Sequence, residues 1–101
     1  MARQLLRDVW PEVADELRRD LVGEDEPALA NAVDTLHFLR VCSCGDDFCQ
    51  SVHTGEGSVL RSIAFSSGRL VAADLDSAGA IVYVEILHRD DLKARFRELA
   101  G

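Results

Sequence analysis

Ala80-Ile81-Val82-Tyr83-Val84-Glu85-Ile86-Leu87-His88 is the stretch whose reading decides the fold. Val82, Val84 and Ile86 alternate onto one face of an extended chain, and Ile81, Tyr83, Glu85 and Leu87 onto the other. Both faces are largely apolar, so the run reads as a strand with neighbours on both sides, inside a sheet. Working back from it, residues 69–75 and 59–65 are two more runs of strand composition. Ser66-Ser67-Gly68 and Asp76-Ser77-Ala78-Gly79 separate the three, and both connections have hairpin length. The three runs predict an antiparallel meander. Residues 36–44, with Leu36, Phe38, Leu39 and Val41, predict a fourth strand at an edge.

Outside the sheet the period changes to that of a helix. Leu6, Trp10, Val13, Leu17 and Leu21 recur at spacings of three and four. Pro11 lacks an N–H and suits a first turn, so a helix begins at Trp10-Pro11 and stops at Gly23, with residues 2–9 a separate short helix or kinked leader. Glu24-Asp25-Glu26 is a solvated connector, and Pro27 opens a second helix of about ten residues burying Leu29, Val33 and Leu36. At the far end, Asp90 and Asp91 stand where N-caps belong, ahead of Leu92, Phe96 and Leu99. The fold class that follows is α+β, one domain over residues 1–101. Its antiparallel meander sheet of three to four strands carries the N-terminal helices and the C-terminal helix on one side.

Composition narrows the functional classes. The chain has 101 residues, 48% of them hydrophobic and 29% charged, enough for one core. A formal net charge of -7 opposes nonspecific binding to nucleic acid, which needs a basic field, and permits a cationic protein partner. No apolar run reaches the roughly 18 to 20 residues that cross a bilayer. The first six residues show no secretory pattern, so the expected compartment is the cytoplasm, where cysteines stay reduced.

All three cysteines and one of three histidines fall within Cys42-Ser43-Cys44-Gly45-Asp46-Asp47-Phe48-Cys49-Gln50-Ser51-Val52-His53. Thiolate and imidazole suit a tetrahedral zinc ion, and the candidate ligands are Cys42, Cys44, Cys49 and His53, with His37 and Asp47 as substitutes. Gly45 would let backbone N–H groups turn toward sulfur. Cys-x-Cys on a strand reaches one ion only if the chain bends. The same residues admit three other readings: small apolar packing groups, a reversible bond from Cys42 or Cys44 to Cys49, and a cysteine nucleophile with His53 as base. A second candidate, Asp74 to Glu85, matches a calcium loop at several positions. Its fifth position is Ala78 and its flanks are strands, so a hairpin turn accounts for Asp76 and Gly79.

Two stretches carry resemblances. Cys42-Ser43-Cys44-Gly45-Asp46-Asp47-Phe48-Cys49 resembles a cysteine-rich segment of small uncharacterised proteins of high-GC bacteria. Asp74-Leu75-Asp76 with Ile81-Val82-Tyr83-Val84-Glu85-Ile86-Leu87 is similar to a strand pair of YuzE-like domains of unknown function. Together they imply a small bacterial α+β domain and no activity. The functional expectation is a noncatalytic cytoplasmic binding or interaction protein with one structural zinc. The alternatives are a small thiol-dependent enzyme or redox protein using Cys44 or Cys49, and an immunity or antitoxin-like partner.

Overall fold

The computed structural model describes residues 4–66 and 68–101. Short strand β1 (Gln4–Leu5) runs into a one-turn helix α1 (Leu6–Val9), and α2 (Pro11–Gly23) follows with Pro11 in its first turn. Next come α3 (Pro27–Ala32), again opened by proline, and a 3-10 turn over Val33–Thr35. Strand β2 (His37–Phe38) pairs with β1. The main sheet then collects β3 (Arg40–Val41), β4 (Val52–His53), β5 (Arg61–Ala64), β6 (Ala72–Leu75) and β7 (Ile81–Glu85). A 3-10 turn (Asp90–Leu92) leads into α4 (Lys93–Ala100).

The main sheet is antiparallel throughout, in the order β3-β4-β7-β6-β5. The meander and the interior position of β7 are therefore as the sequence predicts, and β3 is the expected edge. Two details differ. Residues 36–44 split, β2 leaving for a second, two-stranded sheet. And β4, two residues long inside what reads as a turn, lies between β3 and β7, too short to show a period of its own.

Register explains why one face is core and the other is not. Val41, Val52, Val84, Ala73 and Ile63 are paired in succession across all five strands. All five are buried in one cluster with Leu6, Trp10, Val13, Leu17, Leu21, Val33 and Leu92. The adjacent row, Arg40, His53, Tyr83, Asp74 and Ser62, alternates to the outer face and is polar from end to end. A bulge between Asp74 and Leu75 pairs Leu75 with Ile81 and leaves Val82 as the extra residue. Ile81 consequently joins the core, and the strict alternation expected for the strand breaks at Val82.

Two polar clamps tie α2 to the sheet's connections. The buried Asp20 carboxylate accepts the Arg69 and Leu70 N–H groups at 3.2 and 2.9 Å. Glu16 receives both Nη atoms of Arg89 at 2.6 and 2.8 Å, a bidentate pair in which each side chain is only 12–13% exposed. Arg89 in turn holds Asp91, and Asp90 pairs with Lys93. These two aspartates serve as ion-pair partners and make no cap hydrogen bond to α4, a correction to their expected role. Asp76 Oδ1 accepts the Ala78 and Ala80 N–H groups, with Gly79 at φ 83°, so the 76–79 segment is a hairpin turn that needs no ion.

The Asp20 clamp is testable. A Cβ at Gly68 would lie 2.5 Å from the Asp20 carboxyl carbon. Gly68→Ala must push that carboxylate away from its two N–H donors, and Asp20→Ala removes it. Each variant is expected to lose about 1–3 kcal/mol through the orphaned amides, read as a lower urea midpoint at unchanged slope. An unchanged midpoint in both would refute the clamp.

Candidate metal centre

The outer face of β4 and its N-terminal extension carries Cys49, Ser51 and His53 at every second residue. Beside it Cys42 continues β3, its N–H donating to the Ser51 carbonyl at 2.9 Å. Cys49 bridges to Leu87 of the strand beyond, antiparallel. Between them the chain turns: the Cys49 N–H donates to the Asp46 carbonyl at 3.1 Å, and Gly45 takes φ 84°, a conformation that favours glycine. This turn is the bend that Cys-x-Cys needs. It brings the three sulfurs of Cys42, Cys44 and Cys49 within 4.8 Å of one another. The cluster grades from buried Cys49 through intermediate Cys42 to exposed Cys44, and all three are free thiols.

A layer of polar groups fixes the turn from behind. Fully buried Gln50 donates from Nε2 to the Asp47 carbonyl at 3.1 Å and accepts the Arg89 N–H at 2.9 Å. Ser51, also buried, accepts from the Cys49 thiol at 3.3 Å and from the Ile86 N–H at 2.9 Å. On the solvent side Phe48 stacks on His88 with ring centroids 5.3 Å apart, and the His88 N–H donates to the Phe48 carbonyl. Lys93 of α4 reaches Asp47 at 3.0 Å. Lys93 thereby holds the Asp47 carboxyl below the usual carboxylate range, and Asp47 and Asp90 push the Lys93 amine up.

The sulfurs are unequal. Burial pushes the Cys42 thiol up, but the Tyr83 hydroxyl, the Cys44 backbone N–H and the other two thiols all hydrogen-bond to it. The balance lies below the ordinary thiol value. For Cys44 the Asp46 N–H favours the thiolate, yet the Cys49 and Cys42 sulfurs outweigh it and push Cys44 up to about 11. Burial and donation to Cys42 push the Tyr83 phenol up as well. Cys42 is thus favoured as the first thiolate, while Cys44, whose thiol donates to its two neighbours, holds its proton. A cation placed among the three sulfurs would favour all of them as thiolates.

His53 is not in this group. Its ring meets Tyr83 edge-on, centroids 4.8 Å apart, and burial, then the nearby Arg40 charge, hold its pKa below the usual imidazole value. Spacing explains the difference. Four residues of strand at ~3.3 Å each set His53 ~13 Å along from Cys49, where a compact turn would have kept it near. The substitutes fare likewise. His37 lies on β2 in the second sheet, and Asp47 is engaged by Lys93 and, at 3.9 Å, Arg97. Tyr83, Ser51 and Gln50 are the partners that sequence reasoning missed. Tyr83 offered only one signal, a hydroxyl-bearing ring on the less apolar face of an interior strand.

No family model matches the chain, and neither a curated protein nor a solved structure is significantly similar to it. What the site can do therefore rests on its own donors. Three sulfurs within 4.8 Å of one another could hold a metal ion.

Removing the Tyr83 hydroxyl tests this electrostatic picture. Tyr83→Phe should raise the pH at which the first thiol ionises, followed as thiolate absorbance in metal-free protein, with little change in thermal stability. A Tyr83→Phe curve that overlays the wild type would rule out donation to Cys42.

Proposed function

We propose that this protein is a small noncatalytic binding module that carries one thiophilic divalent cation, zinc in the first instance, on Cys42, Cys44 and Cys49. The observation that supports this reading most directly is the convergence of the three sulfurs within 4.8 Å. The amides of Cys44 and Asp46 also favour the thiolate forms of the cysteines two residues before them. Packing alone gives no reason for an exposed Cys44 to stand with the other two sulfurs. A reactive-cysteine enzyme fits less well. Its nucleophile should ionise easily and be accessible, whereas Cys44 is pushed up to about 11 and Cys49 is buried. Its base, His53, stands beside Tyr83.

In this reading the cation belongs to the scaffold. The turn it closes is joined to β3 by Cys42, to the continuation of β7 at Leu87 by Cys49, and to α4 by the Asp47–Lys93 pair. Metal binding then stabilises the native chain, by about 2.7 kcal/mol when free metal is a hundredfold above its dissociation constant. The acidic surface leaves room for a basic protein partner, as an immunity or antitoxin-like role would require.

Elemental analysis of protein purified without chelator should find one zinc per chain. Cys42→Ser, Cys44→Ser and Cys49→Ser should each weaken binding by more than about a hundredfold, while His53→Ala keeps one equivalent. Because at least the Cys44 proton must leave, apparent affinity should rise at least tenfold per pH unit between about pH 6 and about pH 8. Metal-free protein that takes up no zinc at neutral pH would defeat the proposal.

A further inference from the structure

A tetrahedral zinc ion takes four donors. Closed structural sites draw all four from the protein, whereas a site with three protein donors takes its fourth from a small molecule. Among the described residues the converging group is Cys42, Cys44 and Cys49. Asp46 and Asp47 lie outside that group, Asp47 paired with Lys93, and His53 packs against Tyr83. What the cysteines do border is a cleft of about 300 Å³, at the lower end of ligand-site volumes. Its opposite wall is one face of α4, formed by Lys93, Phe96, Arg97 and Ala100.

Resting on the metal reading above, we propose that the ion takes a small-molecule thiolate as its fourth ligand, seated in the cleft between the cysteine turn and α4. Three thiolates already select a soft cation, and softness in turn ranks a sulfur donor above a carboxylate. Half-buried Phe96 and the Ala100 methyl supply apolar surface for the ligand's carbon chain. Arg97, and Lys93 within its pairs with Asp47 and Asp90, place positive charge on the cleft against Asp46 and Asp47, which moderates the second negative charge that a fourth thiolate adds to a divalent ion with three. On binding, the thiol proton passes to solvent and the sulfur lone pair to the metal. No electron is transferred.

Cobalt(II) loaded anaerobically into the full chain makes the coordination visible. Titration with 2-mercaptoethanol should raise the sulfur-to-cobalt charge-transfer band by about one third, as three thiolates become four, and saturate at one thiol per cobalt. Arg97→Glu should leave cobalt uptake intact and weaken the added thiol by about tenfold. A charge-transfer band indifferent to thiol, with cobalt bound, overturns this inference alone. So does a thiol that strips the cobalt into solution. A chain that takes up no cobalt overturns the metal reading itself.

Discussion

The pairing of Val52 with Val84 is the constraint on which the rest of the molecule depends. It places a two-residue strand against the interior strand of the sheet, and parity does everything else. Val52 inward completes the unbroken apolar row from Val41 to Ile63 that the helices cover. Ser51 and His53 must then point outward, Cys49 with Ser51, and Cys42 beside them on β3. A slip of one residue would put cysteines into the core and Val52 into water. The hydrophobic requirement of the inner face thus fixes, without any ion, where the sulfurs meet.

A cluster of thiols held in that way is poised by electrostatics. The hydroxyl of Tyr83 and the amide of Cys44 favour one thiolate, and the crowding of sulfur on sulfur disfavours the next. A cation among them would supply what the fold withholds, a positive charge at the centre of three acceptors. Buried Gln50 and Ser51 serve the same end from behind. Gln50 bonds to backbone, and Ser51 to backbone and the Cys49 thiol, so the fold itself fixes the turn.

The polar clamps on α2 act on a different problem. Short strands joined by irregular connections leave backbone N–H groups without ladder partners, and burying them unpaired costs stability. Asp20 meets this need at Arg69 and Leu70, in a space that stays open because residue 68 is glycine. Arg89 joins the helix, through Glu16, to the segment that also anchors Gln50. The scaffold's irregular side and the cysteine turn are thereby connected through one arginine.

What the sequence determined by itself was whatever local periodicity and backbone chemistry encode. Pro11 and Pro27 mark helix starts because a residue without an N–H belongs in a first turn. The alternation of residues 81–87 marks an interior strand, and Gly45 marks the bend between Cys44 and Cys49. Tertiary structure alone decided which of four nominated ligands converge. Val52-His53 is too short to announce a strand, yet its pairing with β7 stretches the chain and carries His53 to Tyr83. The same holds for the bulge that turns Ile81 into the core, and for the partnership of Tyr83 with Cys42. Each depends on which strands become neighbours, and that is set by burial summed over the whole chain, a quantity no short window of residues contains.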